Sequence, residues 1–135
     1  THACAIEHTA PCWPGFEVDQ INLNVGVYGQ PLAGEPQVCP YIFYQMAVNA
    51  DGTVSRCFLD WDYSDIMGNL RIENIVDVWN DDKFKVLRKL HLRKVRDLVK
   101  PCCNCQQLKY GMPDNIDPYA EELLRRMNRY STRDT

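Results

Sequence analysis

The chain has 135 residues, a length that favours one domain with a modest hydrophobic core. Its formal net charge of −3 at pH 7 gives no general reason to expect a nucleic-acid partner, and no apolar stretch is long enough to suggest a membrane span. The first residues, THACAIEHTAPC, lack a basic start followed by an apolar run, so they do not resemble a signal peptide. We therefore expect the chain to be cytoplasmic.

The first region of the chain, residues 1–37, is rich in Pro and Gly. PCWPG and GQPLAGEP are turn and loop signals. Between them, INLNVGVYG alternates apolar and polar residues, which predicts a strand with one buried face formed by Ile21, Leu23, Val25 and Val27.

The next stretch, YIFYQMAVNADGTVSRCFLDW, predicts a β-hairpin. Asp51-Gly52 lies between two β-rich runs, and glycine tolerates the positive φ that a tight hairpin turn requires. A turn at this position places Cys57 opposite Gln45 or Met46. Cys39 must then fold back to meet Cys57, and the sequence offers Pro40 as the place for the bend.

Helical spacing replaces the β pattern after Gly68-Asn69, which we predict to be a turn. A first helix is indicated by the spacing of Ile75, Val78 and Trp79, and a second by a shared face of Phe84, Leu87 and His91. Asp81 or Asp82 is the predicted cap of the second helix.

Near the end of the chain, Asp117 followed by Pro118 predicts the start of a final helix, as an N-cap with proline at the first helical position. Tyr119, Leu123 and Met127 are predicted to line one face of it.

Two polar features of the middle of the chain have ordinary explanations. KFKVLRKLHLRKVR carries seven Lys and Arg residues and predicts a solvated helix face, with a docking surface for an acidic partner as the alternative. His91, within this run, is interpreted as a half-buried packing residue rather than a ligand.

The cysteines carry the chemistry that the sequence suggests. Seven cysteines is a high count, and an odd number suits a closed disulfide framework poorly. Without a secretory signal, metal or cluster ligation is the better expectation. The early group of Cys4, Cys12, His2 and His8 is loosely spaced, so we interpret these cysteines as loop residues, with a second metal site as the alternative.

Two pairs of cysteines have the spacing of a metal site. Cys39 and Cys57 bracket the hairpin, and Cys102 and Cys105 form a C-x-x-C knuckle. Thiolates from two distant segments can converge on a tetrahedral zinc ion or on the four irons of a cubane cluster, and spacing alone does not decide between them. Cys103 is a possible substitute for Cys102, although C-x-x-C is the commoner knuckle.

Several of these features, taken in order, resemble one family. CPYIFYQMAVNADGTVSRC, then GNLRIENIVDVWNDDKFKVLR, then CCNC are similar to the SPASM domain, the auxiliary iron–sulfur domain of many radical SAM enzymes. The resemblance covers Cys39 to about Tyr110. It implies one [4Fe–4S] cluster held by Cys39, Cys57, Cys102 and Cys105.

The resemblance also implies a parent enzyme with a partial α/β barrel, a second cluster and S-adenosylmethionine. Relatives modify peptides, proteins or small molecules. This chain lacks the C-x-x-x-C-x-x-C motif that binds the catalytic cluster, so alone it is not expected to start the radical reaction. No cysteine follows Cys105, which favours one auxiliary cluster rather than two.

Four thiolates would leave no iron of the cluster open, which favours electron relay or a structural or substrate-positioning role over substrate ligation. The implied partners are the radical SAM catalytic domain, an electron donor or a peptide substrate. Arg56 and Lys100 lie next to ligands in sequence. We interpret them as solvated charges, with stabilisation of the reduced cluster as the alternative.

The sequence therefore predicts an α+β fold, in which a small β-hairpin and short helices surround a site of four cysteines. Three regions are expected: a linker or barrel tail with one strand (1–37), a SPASM-like domain (38–112) and a C-terminal helix (113–135). The alternative function is a zinc-ribbon-like structural or interaction module that uses the same cysteines.

Overall fold

A computed structural model of the chain describes residues 25–26, 29–32, 34, 36–100, 102–111 and 114–131. Most of the strand predicted over residues 21–27 lies outside the described residues, as do Cys4, Cys12, His2 and His8. No helix in the described ranges is long and apolar enough to cross a membrane.

A small antiparallel sheet lies at the centre of the described fold. Its strands, in spatial order, are β1 (Ala47–Val48), β2 (Thr53–Ser55) and β3 (Ile66–Asn69). With the short helices described below, this sheet confirms the expected α+β class. The third strand was not predicted from the sequence.

The hairpin between β1 and β2 confirms the sequence prediction. Val48 pairs with Val54, so the turn falls on the predicted residues. Gly52 has a φ of 89°, which favours glycine. The Asp51 carboxylate accepts a hydrogen bond from the Thr53 N–H at 3.0 Å, which closes the turn.

The segment that leads into β1 is helical, where the sequence predicted a β-rich run. Tyr41–Tyr44 forms helix α1, and it follows Pro40, whose φ of −72° is already helical. Ile42 is buried in the core, so tertiary packing overrides the β propensity of this aromatic run. The helix turn folds the chain back after Cys39, at the place where a bend was expected.

The predicted turn at Gly68-Asn69 is wrong, because both residues belong to β3 and the turn begins at Leu70. Gly68 serves close packing instead. A Cβ atom at this position would lie 2.7 and 2.8 Å from the two methyl carbons of Val78. Glycine therefore lets the strand approach the next helix.

Helices α2 (Ile75–Trp79) and α3 (Asp82–Leu92) cover the sheet, as the helical spacing predicted. Asn74 caps α2, since its side-chain oxygen accepts a hydrogen bond from the Val76 N–H at 2.8 Å. Asp81 occupies the N-cap position of α3, although its side chain makes no capping hydrogen bond.

The main hydrophobic core lies between the sheet and these helices. Its buried members are Ile42, Val54, Met67, Val78, Phe84 and Leu87. Cys39 and Cys102 pack against this core. Two of the predicted ligand cysteines therefore contact the main hydrophobic core.

The basic run over residues 83–96 is not a uniformly solvated face. Arg88 is buried, donates hydrogen bonds to the backbone oxygens of Ile42 and Trp79, and lies 4.1 Å from the centre of the Trp79 ring. The prediction of a solvated face is therefore wrong at Arg88, whose guanidinium takes part in the core through hydrogen bonds and a cation–π contact.

Two further helices complete the described fold: α4 (Gln107–Tyr110) and α5 (Ala120–Ser131). Leu123 and Met127 of α5 pack on a small second core, as predicted. Tyr119 does not share this buried face, because its side chain is exposed and precedes α5 in a 3₁₀ turn.

The sequence predicted Asp117 as the cap of the final helix, but its side chain does not have this role. Its carboxylate instead accepts hydrogen bonds from the backbone N–H groups of Gln37 and Val38, at 2.9 Å for the shortest contact of each. These partners lie about 80 residues earlier in the chain. The carboxylate therefore ties the C-terminal segment to the residues that lead into Cys39.

We expect Gly68→Ala to lower the free energy of unfolding by about 1–3 kcal/mol, because the new methyl group collides with the stiff, branched Val78. Urea denaturation provides the measurement. Val76→Ala, an exposed position on the same helix, is the matched control and should change the value by less than about 0.5 kcal/mol. Equal losses in the two variants would contradict the packing argument.

Asp117→Ala should lower the free energy of unfolding by about 1.5–3 kcal/mol, since two backbone N–H groups lose a charged acceptor. Hydrogen exchange should also accelerate at the Gln37 and Val38 amides. The exposed Asp114→Ala variant is the control. Unchanged exchange at both amides would show that the tie is absent in solution.

Candidate metal centre

The four cysteines that the sequence singled out are free thiols in the structure: Cys39, Cys57, Cys102 and Cys105. Cys103 is disulfide-bonded and does not belong to this set. Each of the four thiols is partly buried rather than exposed. We call these four residues the thiol set.

The thiols of this set lie within range of one another's charge. Burial, together with smaller repulsion from Cys105, Cys102 and Cys57, raises the pKa of Cys39 to about 12. Burial likewise raises the pKa of Cys105 to about 11, with added repulsion from Cys57 and Cys102. The two sequence segments therefore meet, although no three His, Cys, Asp or Glu residues among those described form a group that fits a single metal ion.

The same backbone hydrogen bond to sulfur recurs at three of the four cysteines. The N–H of the residue two positions later hydrogen-bonds the thiol of Cys39, Cys57 and Cys105, and in each case it lowers the pKa against the larger effect of burial. The same local turn thus recurs at three of the four positions. Such donors stabilise a thiolate more than a thiol, which prepares the site for a metal-bound sulfur.

The C-x-x-C knuckle is a short 3₁₀ turn over Cys102–Asn104. The Cys105 N–H donates to the Cys102 carbonyl at 3.2 Å, which turns the backbone as the spacing predicted. Arg96 holds the same turn from outside: its Nη1 donates to the carbonyl oxygens of Cys102 at 3.1 Å and Cys105 at 3.4 Å. Sequence reasoning missed this role, because Arg96 belongs to a basic run that predicts a solvated face.

Arg56 places a positive charge inside the site. Its side chain is 8% exposed, it forms an ion pair with Asp65, and it hydrogen-bonds the Cys102 thiol. Its Nε and Nη1 atoms are buried with no hydrogen-bond partner in the described part of the chain. The interpretation of Arg56 as a solvated charge is therefore wrong, whereas Lys100 is exposed as expected.

A buried carboxylate organises the loop after Cys57. Asp60 accepts hydrogen bonds from the Ser64 N–H at 3.0 Å and the Asp65 N–H at 3.2 Å. These bonds fix the loop that carries Asp65 to Arg56. Asp60 therefore acts on the site indirectly, by setting the position of an ion pair.

A cavity of about 290 Å³ lies beside Cys57. Gln45 and Met46 line it together with Cys57, in agreement with the register expected from the hairpin turn. Tyr41 and Phe58 form its aromatic wall, with ring centres 5.4 Å apart.

His91 lies against Cys39. Its Nδ1 accepts a hydrogen bond from the Cys39 N–H at 3.2 Å. The sequence predicted a half-buried side chain, but His91 is fully buried. Burial, followed by the charges of Arg96 and Arg56, lowers the pKa of His91 to about 4. The ring is therefore neutral near pH 7.

Comparison with known proteins identifies a family over this region. The family model named SPASM, described as an iron–sulfur cluster-binding domain, matches residues 39–106, about half of the chain. The chain is also similar to an S-adenosyl-L-methionine-dependent 2-deoxy-scyllo-inosamine dehydrogenase from Niallia circulans, with 32% identity over 66 residues. That alignment spans 49% of this chain and 26% of the relative. No solved structure matches the chain.

We expect Arg96→Met to weaken metal retention about 10-fold, because the knuckle carbonyls lose the donor that fixes their orientation. The measurement is the rate of iron loss to a chelator after anaerobic loading. Arg93→Met, an exposed arginine nearby, is the control and should retain iron like the wild type. Equal rates in all three proteins would contradict the role given to Arg96.

Proposed function

Because the chain belongs to the SPASM family of iron–sulfur cluster-binding domains, we propose that the thiol set holds one [4Fe–4S] cluster, as an auxiliary cluster of a radical SAM enzyme. The ligands are Cys39, Cys57, Cys102 and Cys105. The observation that carries this proposal is the meeting of four free, mutually repelling thiols from two distant segments.

The surroundings of the thiols fit such a group. Four thiolates around a cubane make an anionic, sulfur-rich centre that accepts hydrogen bonds. Arg56 supplies a buried positive charge and two nitrogen atoms that have no hydrogen-bond partner among the described residues. The backbone supplies N–H donors to three of the sulfurs. These features match the charge and the acceptor groups of the proposed occupant.

When bound, the cluster would supply a centre that takes up and releases electrons. The four cysteines would ligate all four irons, so no iron would be left to bind a substrate. We therefore favour electron relay, with a structural or substrate-positioning role as the alternative. The core beside Cys39 and Cys102 excludes water from one side of the site, while the cavity at Cys57 leaves another side open.

The parent enzyme is proposed by analogy. The named relative is an S-adenosyl-L-methionine-dependent dehydrogenase, which favours oxidation of a small molecule over peptide modification. We propose a radical SAM catalytic domain as the main partner, with an electron donor in addition. The four free thiols and the proposed iron–sulfur cluster favour a reducing compartment such as the cytoplasm, whereas the disulfide of Cys103 points the other way. The division into residues 1–37, 38–112 and 113–135 is part of the same proposal.

Anaerobic reconstitution of the full chain tests the cluster. We expect a brown protein with a broad absorbance near about 400 nm and about four irons per chain. Cys57→Ser should lose most of the iron, because it removes one of four ligands. Val48→Ala, an exposed position of strand β1 outside the thiol set, is the control and should keep the iron. A colourless wild-type chain with one zinc would instead favour the zinc-ribbon-like module.

A further inference from the structure

One ring nitrogen of His91 is hydrogen-bonded, and the other has no partner among the residues that the structure describes. Nδ1 accepts from the Cys39 N–H, so the proton of the neutral ring is on Nε2. The side chain is 1% exposed, and Nε2 has no hydrogen-bond partner in the part of the chain that the structure describes. A donor is therefore buried without an acceptor from these residues.

Such a donor needs an explanation. A buried N–H without an acceptor is destabilising, and natural cores rarely contain one. Leucine or phenylalanine at position 91 would fill much of the same space without a polar atom. A histidine is useful at this position if a group other than the described protein atoms accepts its hydrogen bond.

The ring of His91 lies beside the proposed ligands. It contacts the backbone of Cys39 directly. The charges of Arg56 and Arg96 both interact with the His91 ring. Arg56 also hydrogen-bonds the Cys102 thiol, and Arg96 donates to the Cys102 carbonyl. The unpaired N–H therefore lies in the neighbourhood where a bound cluster would present sulfur atoms.

We infer that His91 is a positioning residue for the cluster: Nδ1 holds the Cys39 backbone, and Nε2–H donates a hydrogen bond to a thiolate or sulfide sulfur. This inference rests on the proposed function. A hydrogen bond to sulfur stabilises the reduced, more negative state and so raises the reduction potential. His91 then sets the potential as well as the position of a ligand.

Two variants separate the roles of the two ring nitrogens. His91→Asn keeps an acceptor at the position of Nδ1 and has no group at Nε2. His91→Gln keeps an amide donor at the position of Nε2 and loses the Nδ1 acceptor. Each full chain is reconstituted anaerobically, and its potential is measured by a redox titration followed by electron paramagnetic resonance.

We expect His91→Asn to shift the equilibrium about tenfold toward the oxidised state, which is about 59 mV for a one-electron couple. His91→Gln should stay near the wild-type potential. Arg88→Lys is the control for disturbing a buried donor. Among the described residues, Arg88 also has a nitrogen without a partner, and its hydrogen bonds go to the backbone oxygens of Ile42 and Trp79 rather than to the thiol set. This variant should leave the potential unchanged.

If both wild type and His91→Asn take up iron and have equal reduction potentials, the inference about His91 is overturned but the proposed function is not. The same shift in both His91 variants would also overturn the inference, because loss of the Nδ1 contact would then explain the effect. A wild-type chain that takes up no iron would overturn the proposed function and this inference together. The two failures are therefore distinguishable.

A measurement on the native residue covers the case in which the variants do not fold. The chain has three histidines, so His2→Gln with His8→Gln leaves His91 as the only one. With ¹⁵N-histidine, pulsed electron paramagnetic resonance of the reduced cluster should detect a ¹⁵N coupling and a proton coupling that disappears in D₂O. Absence of both couplings would overturn the inference.

Discussion

The repulsion and burial of the thiol set are the constraint on which the rest of the site depends. Burial is the largest cause that raises the pKa of Cys39 to about 12 and that of Cys105 to about 11. Four thiolates in such a place are unstable without a compensating cationic centre. Metal ions meet that requirement, and their binding must release protons from these thiols. Folding of the middle of the chain and filling of the site are therefore linked.

The residues around the thiols supply positive charge and hydrogen-bond donors of different strength, which offset the cost of burying four thiolates. Arg56 brings a full charge, but Asp65 partly neutralises it, and the Asp60 loop fixes that pair. Arg96 acts on backbone carbonyls rather than on sulfur. The chain thus places strong and weak donors at different depths, which is how a protein adjusts the potential of a bound cluster.

Local signals in the sequence predicted the features that depend on neighbouring residues. Asp51-Gly52 located the hairpin, and the C-x-x-C spacing located a knuckle whose backbone turns as expected. The prediction failed where packing decides the outcome. The aromatic run 41–44 is helical because Ile42 enters the core. The glycine at position 68, which the sequence indicated as a turn residue, instead allows the close approach of Val78 to the strand.

The supporting residues of the site were beyond prediction from the sequence, because their partners are remote. His91 meets the Cys39 backbone across 52 positions, and Asp117 meets Gln37 across 80. Neither contact leaves a spacing pattern. The ordered similarity to one family identified the region, but only the folded chain shows which polar side chains surround it.

The hydrogen bonds between the Asp117 carboxylate and the backbone of Gln37 and Val38 determine which fragment of the chain should be prepared. The family match ends at residue 106, yet the segment just before Cys39 is held by a carboxylate eleven residues beyond that limit. A fragment trimmed to residues 39–106 would lose both Val38 and Asp117, and with them the hydrogen bond that holds the backbone leading into Cys39. Fragments prepared for biophysical work should therefore begin before Gln37 and extend through helix α5, because Val38 packs against residues of that helix.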